Sequence, residues 1–413
     1  MWHWRNGWEI HFERARRDGA PPLLMLPGFG VGTFHFKRNM QELSKTHDVY
    51  ALDLLGQGKS WPTRAPSRED RLCYSVDTWT EQVLAFVQGV IGEPVYLAGN
   101  SLGGYIGTNL AANHPRWVLG LALLNATPFW AFRKAVPGRP PPPSETEPSR
   151  DEGIVAQDSD VASPETAWKT PAVNGNSDPN LRGEAVQMDG LDTGVTGRSG
   201  GGWLGWDGTL PAPAAFFRFG AWYFDRMRDP RTVRNLLGAV YSTPEAVDDE
   251  LIGEIIAATE RGPSNHNYGV GGHEAFTSIV FAPKVAMSFE AMIDKIEAPM
   301  ALIYGKEDPW VVPLWGHRIK RRRPETLYYQ VSPSGHSPHH ETPNMVNTLL
   351  AKWLAHARDG GAPPLSGDGE VLEMHVRGQQ GCRRARVCDF RRLIPTITGA
   401  GQKRPPQQVW GIK

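Results

Sequence analysis

The chain has 413 residues, 40% of them hydrophobic, and its Lys+Arg and Asp+Glu totals are equal at 44 each. That length admits one large or two ordinary domains with a real core, and the charge balance leaves no global field to draw the protein to nucleic acid or to an anionic membrane. The three cysteines, Cys73, Cys382 and Cys388, make no disulfide framework and suit a reducing compartment, and no run reaches the roughly 18–20 apolar residues of a membrane span.

Met1 is followed at once by WHWRNGWEIHF, a strand-like opening with neither a signal-peptide core nor an Arg/Ser-rich transit segment. Either the protein needs no address or the chain begins inside a longer precursor. Residues 9–14 and 22–26 (PLLML) read as strands, the second running into the loop PGFGVG. Residues 34–45 have helical spacing, and VYALDL, 49–54, is a buried strand ending at GQGKS. Residues 75–91 form an amphipathic helix with Val76, Trp79, Val83, Phe86, Val87 and Val90 on its apolar stripe. The strand PVYLAG, a helix over 102–113 stopped by Pro115, and the strand VLGLALLN, 118–125, follow. Apolar strands alternating with helices predict an α/β fold, a mostly parallel sheet covered on both faces.

The alternation breaks near Pro137. Residues 137–202 are rich in Pro, Ser, Gly, Asp and Glu and have almost no aromatics. Such a segment cannot bury enough apolar area to offset chain entropy, so it is expected to be a disordered insertion between the first part of the core, 1–136, and a helical cap, 203–296. The strands PMALIYG, 299–305, and TLYYQV, 326–331, and a helix over 343–356 complete the core over 297–358, and residues 359–413 read as a disordered tail.

Gly99-Asn100-Ser101-Leu102-Gly103 fits G-x-S-x-G between a predicted strand and a predicted helix, the context that motif requires. The tight turn calls for small neighbours and holds Ser101 at the carboxyl edge of the sheet. A serine hydroxyl needs a base, and the base needs an orienting acid. On this fold the chain order is Ser, then Asp or Glu, then His. Lys306-Glu307-Asp308-Pro309-Trp310 follows one later strand and Ser332-Pro333-Ser334-Gly335-His336 the next. Ser101 is therefore assigned as nucleophile, His336 as general base and then acid, and Asp308 as the carboxylate that fixes the imidazole tautomer. Glu307 is the rival acid. Asp53 precedes the serine and reads as a pin for its own loop. His339 is the alternative base. The H-x-x-H-H run from His336, with His317 nearby, lacks helical zinc-ligand spacing and is not read as a metal site. The oxyanion is expected at the N–H groups of Leu102, after the nucleophile, and Phe29, in PGFGVG.

Eight aromatics lie between Trp203 and Phe224, namely Trp203, Trp206, Phe216, Phe217, Phe219, Trp222, Tyr223 and Phe224. Most belong to the cap's own core, but their density suggests a broad apolar pocket. Phe129, Trp130 and Trp310 are the candidate substrate contacts, and a large, flat, apolar ester would fit.

LPGFGVGTFHF, LDLLGQGKSWP, EPVYLAGNSLGGY, LLNATPFW, YGKEDPWVVPLWG and SPSGHSPHHETP together resemble the pheophytinases, plant and algal α/β-hydrolases that release phytol from pheophytin in chlorophyll breakdown. The likeness covers most of 2–136 and 203–358, and Pro27-Gly28 replaces the His-Gly of many other relatives. It implies an α/β-hydrolase fold with the cap inserted after the sixth strand. It also implies a Ser-Asp-His triad at Ser101, Asp308 and His336, no metal and no organic cofactor, a pheophytin-like ester as substrate, and a chloroplast location. Peripheral contact with thylakoid membrane or with other chlorophyll-breakdown enzymes would follow. The rival activities are chlorophyll dephytylation, general lipid or carboxyl ester hydrolysis, and non-catalytic pigment binding. The insertion 137–202, the tail and the lack of a visible transit peptide in this sequence depart from the family pattern.

Overall fold

Pro22–Leu26 (β4), Val95–Asn100 (β6) and Met300–Gly305 (β8) are buried at every position. A strand covered on both faces must be apolar throughout, and these three lie inside a sheet whose neighbours run parallel to them. The computed structural model describes residues 1–64, 66–126, 206–260, 272–282, 287–360 and 372–375. The remaining core strands are Phe12–Ala15 (β3), Asp48–Leu52 (β5), Val118–Leu124 (β7), Leu327–Ser332 (β9) and Leu372–His375 (β10). They form one eight-stranded sheet in the order β10-β9-β8-β7-β6-β4-β5-β3, parallel except for β3 against β5. Trp2–Trp4 (β1) and Trp8–Ile10 (β2) pair in a separate two-stranded ribbon.

Alternate residues of β4 supply opposite cores. Leu24 and Leu26 join Trp79 and Phe86 of helix Val76–Phe86 (α2) and Tyr105 and Leu110 of helix Leu102–Asn113 (α3). Leu23 and Met25 join Met40 and Leu43 of Lys37–Leu43 (α1) and Leu349, Leu350 and Trp353 of Pro343–Asp359 (α11). Helix α2 starts where Ser75 accepts a hydrogen bond from the Thr78 N–H, an N-cap that satisfies one of the orphan donors of the first turn.

Between β7 and β8 lie helices Ala214–Met227 (α4), Pro230–Val240 (α5), Asp249–Glu260 (α6), Gly272–Phe281 (α7) and Phe289–Lys295 (α8). Counting β2 and β3 as one strand bent at His11, this block follows the sixth strand, where the cap was expected. Helix α8 departs from that expectation. Its Phe289 packs on Tyr105 of α3 with ring centroids 5.7 Å apart, and Met292 and Ile293 join the main core, so the cap gives way to the core before residue 296.

Two further expectations need correction. The strand expected over 9–14 is split, because its first half pairs with β1 and its second with β5. The tail expected to be disordered throughout contains β10, which pairs in parallel with β9. Its alternating Leu372 and Met374 pack onto the sheet's second core, an apolar period that the surrounding Gly- and Arg-rich sequence obscured. The segment 137–202 lies outside the described residues. Past the fold proper, no described helix is long and apolar enough to cross a membrane.

Candidate active site

Strand β6 ends and α3 begins within one residue. Ser101 sits in that turn with φ +50° and ψ −114°, a backbone conformation that an L-residue holds only when its surroundings impose it. Its N–H donates to the Leu124 carbonyl at 3.0 Å, which pins the turn to β7. The flanking glycines are there for close approach. A Cβ on Gly99 would lie 2.5 Å from the Cα of Gly104, and one on Gly103 would lie 2.2 Å from the Leu26 carbonyl oxygen. Helix α3 therefore starts against the end of β4, whose following loop carries Phe29.

The loops after β8 and β9 meet at the same sheet edge. His336 Nδ1 and Asp308 Oδ2 are 2.7 Å apart, both residues buried. Asp308 is held from two more sides. Asn125 Nδ2 donates to Oδ2 at 2.7 Å, and the Trp310 N–H donates to Oδ1 at 2.7 Å. A carboxylate accepts only, so Nδ1 of His336 carries the proton and Nε2 is left as the acceptor a base requires. Burial pushes the His336 pKa down, but the Asp308 charge and hydrogen bond outweigh it with help from Glu341, and the imidazole titrates above its ordinary 6.5.

Glu307, the rival acid, accepts from Ser332 Oγ at 2.6 Å and the Ser334 N–H at 2.8 Å. His339, the alternative base, is fully buried and bonds His35 Nδ1 through its Nε2 at 3.1 Å. His35 in turn meets the Tyr241 hydroxyl at 2.8 Å. Burial, reinforced by repulsion from neighbouring histidines, holds His35 and His339 well below 6.5, and burial beside Arg38 takes His340 down to about 4. His317 lies on Pro313–Arg322 (α9) against Gln330 and Tyr328, apart from the others. Among the described residues, no group of three or more His, Cys, Asp or Glu is arranged to hold a metal ion. Asp53 pins its loop as expected, accepting from the Thr33 and Lys59 N–H groups.

The structure joins the Ser101 turn to the His336 loop through Asn100. Its Nδ2 donates to the Leu124 carbonyl at 2.9 Å and to the His336 carbonyl at 3.0 Å. The Ser101 hydroxyl itself makes no hydrogen bond to His336 among the described residues, so the third contact of the expected triad is not formed in this conformation. Leu102 is the first residue of α3, where an N–H has no acceptor within the helix. Phe29 stands half-exposed on its loop with its ring 6.1 Å from Phe276 of α7. Phe276 also meets Tyr223 and Phe224 of α4 at 5.7 and 5.8 Å, so an aromatic wall of the cap rises over the loop after β4. Trp310 packs its ring 5.2 Å from that of His336. Phe129, Trp130 and Trp203, and the side chain of Phe219, lie outside the described residues.

Three residues were missed in the sequence. Asn100 is the last residue of one apolar strand and Asn125 directly follows another, a signal that could have marked them. Glu341 sits five residues beyond His336 on the short helix Pro338–Glu341 (α10), and nothing in composition distinguished it.

A serine elbow at the end of the central parallel strand β6, with a His–Asp pair on the loops after β8 and β9, is the arrangement of a hydrolase class. Residues 21–343 match the alpha/beta hydrolase fold family, and the chain belongs to that family. It is 33% identical over 398 residues to the chloroplastic pheophytinase of Arabidopsis thaliana, covering 89% of this chain and 69% of that one. It is also 33% identical over 143 residues to a (lyso)-N-acylphosphatidylethanolamine lipase of Mus musculus, covering 33% of this chain and 37% of that one. Among solved structures, a membrane phospholipase A aligns with a TM-score of 0.51 at 21% identity, covering 86% of this chain and 84% of that one. A thermophilic esterase from Thermogutta terrifontis aligns with a TM-score of 0.52 at 14% identity, covering 86% and 96%. These two share the fold.

Proposed function

We propose that this protein is a serine esterase that hydrolyses the phytyl ester of pheophytin, releasing phytol and pheophorbide in the chloroplast. The observation that carries the chemistry is the 2.7 Å His336–Asp308 contact, tied through Asn100 to the turn that bears Ser101. Nε2 of His336 accepts the Ser101 proton as Oγ attacks the ester carbonyl. The Leu102 and Phe29 N–H groups receive the oxyanion, and each such donor is worth about 3–4 kcal/mol of barrier. His336 then protonates the departing phytol oxygen. Water, deprotonated by the same imidazole, attacks the acyl-enzyme and frees the acid.

The substrate choice rests on similarity to a pheophytinase along most of the chain and on the aromatic wall of Phe29, Phe276, Tyr223 and Phe224. A phytyl chain has about 20 carbons, and at about 0.8 kcal/mol per buried CH₂ its gross burial exceeds roughly 10 kcal/mol, much of it lost to ordering. Remote binding of that size can position the ester for attack. The chloroplast location rests on the relative's. The test is product analysis after incubation with pheophytin and, separately, chlorophyll, with Ser101→Ala alongside. Pheophorbide and phytol from wild type alone support the reading. Faster turnover of chlorophyll would make the protein a chlorophyll dephytylase, equal kcat/KM on a short acetyl ester would make it a general esterase, and undiminished turnover by Ser101→Ala would overturn the serine mechanism.

A further inference from the structure

The loop that carries His336 is gripped from below by one buried side chain. Glu341, 5% exposed, accepts four backbone N–H groups. Oε1 takes those of Gly335 at 2.9 Å and Ser337 at 3.2 Å, the two residues flanking the base. Oε2 takes those of Ser242 at 2.7 Å and Thr243 at 3.1 Å, which follow α5 of the cap. The His336 N–H donates to the Val240 carbonyl at 2.9 Å, so the same cap segment is bonded to the base loop twice over. One carboxylate thus spans two chain segments almost a hundred residues apart, and its charge faces the imidazole. We propose that Glu341 is a positioning residue for the general base, fixing the His336 loop against the end of α5 and stabilising the imidazolium that forms during turnover.

This inference rests on the reading of Ser101 and His336 as nucleophile and base. The groups facing His336 are Asp308 from the loop after β8, Glu341 from α10, and the buried neutral histidines His35 and His339. Glu341 itself faces Tyr241 at the end of α5. Burial pushes Glu341 up to about 7 against the pull of its four N–H donors.

The experiment follows kcat and kcat/KM against pH on a soluble p-nitrophenyl ester, using the full chain, for wild type, E341Q, E341D and S101A, with thermal melting beside it. E341Q removes the charge, and its acid limb is expected to move down by about half a pH unit, with a plateau kcat lower by roughly tenfold. E341D keeps the charge and restores the limb, while its shorter reach leaves the plateau depressed. If E341Q folds with a lower Tm but an unmoved limb and plateau, Glu341 is structural only and the proposal fails. Should E341Q not fold, a wild-type plateau for E341D overturns it. An active S101A overturns the esterase reading and the proposal together, whereas an inactive S101A beside an unmoved E341Q overturns the proposal alone.

Discussion

Asn100 and His336 stand 236 positions apart and share one hydrogen bond, from the Asn100 side-chain amide to the His336 carbonyl at 3.0 Å. The residue before the proposed nucleophile thereby holds the residue proposed as base. Asn100→Ala leaves the buried His336 carbonyl without this donor and the Leu124 carbonyl with the Ser101 N–H alone, a loss of about 1–3 kcal/mol. Urea unfolding should show the loss, and kcat should fall with KM little changed.

Asp308→Asn retains the shape of the acid but not its charge. The imidazole then loses its preferred tautomer, and kcat is expected to drop by roughly 10³–10⁴-fold. An inactive Glu307→Gln beside a nearly normal Asp308→Asn would exchange the two roles.

The pH dependence of kcat/KM should show an acid limb above pH 6.5, because Asp308 raises His336 and the base must be neutral to act. Asp308→Ala should move that limb downward. A wild-type limb below the ordinary imidazole value would contradict the His336–Asp308 pairing as the active arrangement.

Stability has a different pH dependence. His35, His339 and His340 are depressed in the fold, so the unfolded chain binds their protons first as pH falls through 6.5. Each contributes stability that is complete above that value and is lost below it, at up to about 1.4 kcal/mol per pH unit. His336 and Glu341 are raised, contribute stability at low pH that is lost as pH rises through their folded values, and offset part of the loss. Urea midpoints should be lower at about pH 5 than at about pH 7.5, and His339→Gln should flatten the difference.

Phe276 touches Phe29, Tyr223 and Phe224 at once. Phe276→Ala should raise KM for pheophytin by about tenfold or more through lost apolar contact, while leaving hydrolysis of a short acetyl ester within about twofold. Equal effects on both substrates would remove the wall from the substrate site.

The layered sheet was legible because parallel strands buried on both faces are apolar from end to end, as in PLLML and VYLAG. The elbow was legible because its glycines are required by contacts within a few residues. Asp308 and His336 were legible because each directly follows a strand. Glu341 was not, since its partners come from two loops whose meeting depends on how the cap seats. The contact that α8 makes with Tyr105 was hidden for the same reason: its apolar stripe does not say which surface it will cover. β10 escaped notice because a four-residue alternation carries little weight inside a Gly- and Arg-rich stretch.

The pairing of β10 with β9 gives the C-terminal region a structural use. Without it, the backbone donors and acceptors along one side of β9 would face solvent as a template for any extended peptide. A fragment ending at residue 360 would keep every residue assigned to catalysis yet expose that rim, and self-association would be the cost of trimming it.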